Sequence, residues 1–166
     1  MPTVYLETSV ISYLTARRSS QTIMAGQQES TRQWWERDRL HYDLYISAAV
    51  TQEITRGDKV AARDRLEIVR GLPQLDVTPE VIRLAEEIMT AAQLPQKAEV
   101  DSIHLAVSAI NGIDFLLTWN CRHIANPALY RVFERVFHAA GLQSPVICTP
   151  YVLLGDFDDG DEPNPR

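Results

Sequence analysis

Disulfide-forming cysteine, long apolar runs and surplus positive charge are what this sequence lacks. Its two cysteines, Cys121 and Cys148, cannot build a disulfide framework and do not have metal-ligand spacing. They read as small apolar fillers in a reduced setting. No stretch approaches the ~18 apolar residues of a membrane span. The opening Met-Pro-Thr-Val-Tyr-Leu-Glu has neither the basic start nor the apolar core of a secretory signal, so the expectation is a soluble cytoplasmic chain that does not meet a membrane. There is no Gly-x-Ser-x-Gly elbow, no glycine-rich phosphate loop and no paired-cysteine motif, which leaves serine- or cysteine-based catalysis with little support. Net charge is −6 at pH 7. A general polyanion binder is basic, so indiscriminate coating of DNA or RNA is disfavoured, whereas a metal-mediated phosphate contact is not.

The 166 residues are 45% hydrophobic and 23% charged, the mixture of an ordinary globular domain. A chain this long buries roughly 70% of its unfolded surface and needs no staple to fold. Much of the acidity sits in the last twelve residues, where Asp156, Asp158, Asp159, Asp161 and Glu162 face only Arg166. The expected organisation is one domain over residues 1–154, followed by an acidic, disordered tail over 155–166.

Short apolar runs rich in β-branched and aromatic residues alternate with helical patterns. The runs are Thr3–Leu6, Leu44–Ser47, Leu75–Thr78, Phe115–Thr118 and Val146–Thr149, each reading as a buried parallel strand. Ser47 is placed to cap a helix that ends at Gly57. Thr78-Pro79 starts another, with Val81, Ala85, Ile88 and Ala92 on one face. Ile103, Ala106, Val107 and Ile110 repeat the pattern, and Asn111-Gly112 is a fitting stop. This alternation predicts an α/β domain with a parallel sheet.

Ligands of open parallel sheets bind beyond the carboxyl ends of the strands. Glu7 directly follows the first strand, and Asn120 follows the strand ending at Thr118 by two residues. Glu53 lies about one and a half turns into its helix. Ala49 and Val50, four and three residues earlier, put it beside the apolar face. Asp101 starts the helix before the Phe115 strand, so it opens at the same edge, where the helix dipole favours an anion. Taken singly, Asp101 has an ordinary reading as a helix-start residue and Glu53 as a surface charge. Three carboxylates at one edge repel unless a cation neutralises them. A hard divalent ion, Mg²⁺ or Mn²⁺, held by oxygen ligands is the usual answer. Charge balance favours one ion, and Asn120 adds an oxygen without charge.

The chain resembles PIN-domain nucleases, specifically VapC-type toxins of toxin–antitoxin systems. The resemblance covers roughly residues 2–154. It rests on Leu6-Glu-Thr-Ser-Val-Ile11, on Ser47 through Glu53, on Asp101-Ser-Ile-His-Leu-Ala106, and on Leu117-Thr-Trp-Asn120 with Cys121-Arg-His-Ile-Ala-Asn126. It implies a three-layer fold with a sheet of order 3-2-1-4-5 flanked by helices, and Mg²⁺- or Mn²⁺-dependent cleavage of RNA. It further implies an antitoxin partner and a homodimer. Glu53 and Asp101 match family acids directly. Glu7 stands where the family usually has Asp, and Asn120 where it often has Asp. Thr8 and Ser9 match hydroxyl residues that orient the first acid. The implied catalytic and metal-binding set is therefore Glu7, Glu53, Asp101 and Asn120, with Thr8 and Ser9 orienting.

The two departures motivate an alternative: a catalytically weakened PIN-like module that binds RNA or protein. An aspartyl phosphatase is disfavoured because it needs Asp, not Glu7, at the first strand's end. Around the site, His104 reads as packing with a hydrogen bond. His123 and Arg122 read either as phosphate contacts or as a solvated loop. Arg17 and Arg18 either line an RNA groove or complement a helix C-terminus. Trp34 and Trp35 point about 100° apart on a helix, which predicts one in the core and one at its rim. Trp119 reads as core, with base stacking as the functional option.

Overall fold

Thr3–Leu6 form strand β1, and Val4, Tyr5 and Leu6 are completely buried. A strand covered on both faces belongs at the centre of a parallel sheet. β1 pairs in parallel with β2 (Asp43–Ser47) on one side and with β4 (Phe115–Leu117) on the other. β3 (Gln74–Leu75) extends the β2 side and β5 (Val146–Cys148) the β4 side. The resulting order is 3-2-1-4-5, all parallel, as the resemblance implies. The computed structural model describes residues 1–155, so the expected acidic tail lies, but for Gly155, outside the described residues.

The connections explain the layers. Helices α1 (Thr8–Thr15) and α2 (Thr22–Gln33) carry the chain from β1 to β2, and α3 (Ala48–Ile54) and α4 (Lys59–Val69) carry it on to β3. Both steps move the same way across the sheet, so right-handed crossovers put these helices on one face. The chain then reverses. Helices α5 (Pro79–Ala91) and α6 (Glu99–Ile110) lead to β4, and α7 (Pro127–Ala139) leads to β5, on the opposite face. Contacts follow this division: α1 packs on α2, α3 and α4, while α5 packs on α6 and α7. A last short helix, α8 (Pro150–Leu153), lies against α2. The reversal of direction at β1 opens a crevice at the carboxyl ends of β1 and its neighbours.

Several local expectations are met. Thr78 caps α5 through its hydroxyl, with Pro79 in the first helical position. α6 stops at Asn111, and Gly112 takes the left-handed conformation, φ 62°. Others need correction. β3 spans two residues rather than reaching Thr78, because Thr78 is already committed to capping. α3 ends at Ile54, ahead of Gly57. Ser47 occupies the N-cap position of α3, but its side chain makes no cap bond there; it bonds the hydroxyl of Tyr5 instead. Cys148 is buried, whereas Cys121 is exposed and fills no core.

Trp34 and Trp35 divide as expected. Trp34 is fully buried, and Trp35 packs partly exposed at the core's edge, with the Arg39 guanidinium 4.5 Å from its ring centroid. The helix widens there into a π-helical turn over Trp34–Asp38. Among the described residues no helix is long and apolar enough to cross a membrane.

Candidate acidic site

Glu7 leaves β1 as the N-cap of α1 and is only 5% exposed. Its Oε2 accepts from the Ser9 amide (3.1 Å), the Thr118 hydroxyl (2.7 Å) and the Ser9 hydroxyl. The carboxylate is buried but well satisfied. Among the described residues these hydrogen bonds to the Glu7 carboxylate all end on Oε2, so Oε1 is left to face the imidazole of His104, 4.0 Å from Nε2.

Glu53 comes from the last turn of α3 with 27% of its side chain exposed. Its Oε1 accepts from the Thr8 hydroxyl at 2.6 Å and lies 2.7 Å from His104 Nε2. Burial pushes the Glu53 carboxyl upward, but the His104 bond and charge, the Thr8 hydroxyl and Arg56 together outweigh it and hold the group below the ordinary glutamate range. Thr8 therefore bonds Glu53, and Ser9 bonds Glu7.

Asp101, in the first turn of α6, bonds His123 Nδ1 through Oδ2 at 2.9 Å. His123 is thus mostly buried and held against Asp101 rather than solvated in a loop. Its amide donates to Asn120 Oδ1 at 3.0 Å, and the Asn120 amide donates to the Thr118 hydroxyl at 2.9 Å. A continuous path of hydrogen bonds therefore joins Asp101, His123, Asn120, Thr118 and Glu7. All four expected site residues lie on the carboxyl edge, but not equally close together. Among the described residues, the metal-ligating atoms that lie within 4.8 Å of one another belong to Glu7, Glu53 and His104. Asp101 stands outside that trio, and Asn120 spends its side-chain oxygen on a turn.

His104 is packed and hydrogen-bonded, as its sequence context suggests, and it also sits among the acids. It is completely buried on α6. Its Nδ1 meets the Tyr5 hydroxyl at 2.6 Å, and that hydroxyl meets Ser47 Oγ at 2.7 Å. Burial works against its protonation, yet the Glu53 bond and the charges of Glu7, Glu53 and Asp101 raise its pKa above the ordinary histidine value. Burial, with the charges of Glu7 and Glu53 and against the Ser47 bond, pushes the Tyr5 phenol well up, so it keeps its proton. The available signal was spacing: His104 sits one turn after Asp101, on a helix whose N-terminus faces the same edge.

At the rim, Trp119 is half-buried rather than core. Its amide donates to Ser9 Oγ and its indole to Thr31, and its ring stacks on Tyr13 at 5.9 Å. Arg17, Arg18 and Arg122 are exposed.

The donors fit a hard divalent ion. Two carboxylates whose ligand atoms lie within 4.8 Å of each other favour a cation between them, and the Glu7 oxygen that takes no hydrogen bond lies on that side, 4.0 Å from His104 Nε2. This is an α/β domain that gathers acidic side chains beyond the carboxyl ends of a parallel sheet. The chain belongs to the PIN domain family, whose model matches residues 4–124.

No curated protein matches the chain significantly. Solved structures with the same fold include Mycobacterium tuberculosis VapC20, a sarcin-ricin loop cleaving toxin. It is 17% identical with a TM-score of 0.58, over 85% of this chain and 97% of that one. FitAB bound to the IR36 DNA fragment is 16% identical with a TM-score of 0.57, over 89% and 95%. VapBC2 of Rickettsia felis, bound to a DNA fragment from their promoter, is 15% identical with a TM-score of 0.54, over 88% and 97%. At such identities the likeness is one of fold.

Proposed function

We propose that this protein is a divalent-metal-dependent endoribonuclease and the toxin of a toxin–antitoxin pair. The observation that carries the reading is the pair of carboxylates from β1 and α3, tied through hydrogen bonds to Asp101 on a PIN-domain sheet edge. Glu7, Glu53 and Asp101 would hold Mg²⁺ or Mn²⁺, with Asn120 orienting a water or a second ion. Such an ion, when bound, polarises a phosphate oxygen and makes water a stronger nucleophile at neutral pH. The chain's own residues do the positioning. Ser9 and Thr118 hold the inner oxygen of Glu7, and Thr8 and His104 hold one oxygen of Glu53, so each acid keeps its second oxygen for the ion. His123 sets the Asp101 carboxylate, and Trp119, stacked on Tyr13 and bonded through its amide to Ser9, makes an aromatic rim on the Glu7 side.

The proposed protein partner is a cognate antitoxin covering this edge, in the cytoplasm, with the toxin itself a homodimer. The VapBC2 neighbour on promoter DNA and the FitAB neighbour on its DNA fragment support the antitoxin partner. The proposed domain is residues 1–154. A second reading, a PIN module that binds RNA or protein without cleaving it, is favoured by one observation: the uncharged Asn120 already spends Oδ1 on the His123 amide.

Partner-free protein incubated with structured RNA across Mg²⁺ and Mn²⁺ concentrations separates the two. Discrete fragments, lost with EDTA and reduced more than about 100-fold in Asp101→Asn while the fold survives, are the expected result, since even indirect support of a metal is worth about 10–100-fold. Intact RNA throughout, with no calorimetric metal binding, would transfer the argument to the binding module. Full activity in Asp101→Asn would remove that residue from the mechanism.

A further inference from the structure

Four polar side chains from four different elements run in one buried line toward the acidic site. Ser47 Oγ, at the end of β2, meets the Tyr5 hydroxyl of β1 at 2.7 Å. Tyr5 meets His104 Nδ1 of α6 at 2.6 Å, and His104 Nε2 meets Glu53 Oε1 of α3 at 2.7 Å. Ser47, Tyr5 and His104 are all inaccessible to solvent. Burying a serine, a phenol and an imidazole costs free energy that an apolar trio of like volume would avoid. Packing alone therefore does not account for them, and the line ends on a carboxylate that borders solvent.

The chemistry of the two ends gives the line a direction. An ionised carboxylate only accepts, so Nε2 carries a proton, and in the singly protonated ring Nδ1 accepts. Tyr5 then donates to Nδ1, and Ser47 donates to the Tyr5 oxygen.

We infer that His104 is a positioning residue for the metal site, set by Tyr5 and Ser47 to hold one oxygen of Glu53 and leave the other for the ion. This rests on the metal-site reading above and names the part of this chain that completes it. Glu53 sits near the end of a seven-residue helix on a flexible side chain, so its carboxylate depends on outside donors for its aim. Support of this kind for a metal-holding group is typically worth 10–100-fold in affinity.

The test is Mn²⁺ binding by calorimetry, with no RNA present, in wild type, Tyr5→Phe, His104→Phe and His104→Gln. Thermal melting is measured alongside. Tyr5→Phe removes only the hydroxyl and should weaken Mn²⁺ binding about 10-fold. His104→Phe should weaken it at least as much. His104→Gln presents an amide N–H to Glu53 and a carbonyl to Tyr5, and should recover most of the affinity whatever its melting temperature. The nitrogen chemical shifts of His104 should report the Nε2–H tautomer in wild type and a loss of that preference in Tyr5→Phe, which keeps the inference testable if His104→Phe does not fold. Unchanged affinity in Tyr5→Phe, or affinities that simply follow melting temperature, would overturn it and leave the metal-site reading intact. A wild-type protein that binds no Mn²⁺ would overturn both.

Discussion

Glu7 and Asp114 show how far a single carboxylate's surroundings decide its role. Glu7 is buried with three donors on one oxygen, an arrangement that makes an anion tolerable inside a protein. Asp114 lies at the surface and accepts from the Thr3 amide at 2.8 Å and the Thr3 hydroxyl at 2.9 Å, tying the start of β1 to that of β4. The Thr3 amide bond, then the Thr3 hydroxyl, hold the Asp114 carboxyl below the ordinary aspartate value. Its contribution to stability is therefore complete above the unfolded-state pKa and lost as pH falls through the lower folded-state value. Solvent and salt screen so exposed a group, so the effect is small. In urea denaturation across pH, Asp114→Asn should flatten the acid limb relative to wild type. Identical acid limbs would show that the Thr3 contact does not bias the proton.

Helix ends are the elements that sequence reasoning reads best, and they differ in what they spend their caps on. Asp58, before α4, accepts from the amides of Val60 (3.0 Å) and Ala61 (2.9 Å), after a left-handed turn at Gly57, φ 84°. Asp58→Ala should cost about 1 kcal/mol in thermal or urea denaturation, and Asp58→Asn much less. Equal losses would mean that charge rather than capping matters there. Ser47 is the counterexample. Its position satisfies every sequence rule for a cap, yet a phenol on the neighbouring strand claims its hydroxyl. Tertiary competition of that kind has no periodicity to betray it.

Short strands leave much of the core to the helices, and Phe133 and Phe137 on α7 are both fully buried in it. Phe137→Ala should cost about 3–5 kcal/mol by urea denaturation, a large share of the ~5–15 kcal/mol of a typical domain. A loss below 1 kcal/mol would mean that α7 closes over the gap. The order 3-2-1-4-5 has a functional consequence at this scale. The chain reverses its direction of travel at the central strand, and that reversal brings the ends of β1, α3, α6 and the loop after β4 around one crevice.

What the sequence determined by itself was the part written in local chemistry. Strand–helix alternation, the Thr78-Pro79 start, the Asn111-Gly112 stop and the acids at the carboxyl edge follow from neighbours within a few residues, where backbone geometry is set. The motifs around Glu7, Glu53, Asp101 and Asn120 added the family and its strand order. The tertiary structure alone decided which groups touch. It gave Thr8 to Glu53, His123 to Asp101 and Ser47 to Tyr5, and it brought His104 to the heart of the acidic cluster while leaving Asp101 one hydrogen-bonded path away. Those partners lie 22 to 51 residues apart in the chain. A hydrogen bond depends on distances of tenths of an ångström, which the sheet's register and the helices' packing fix and no local pattern records.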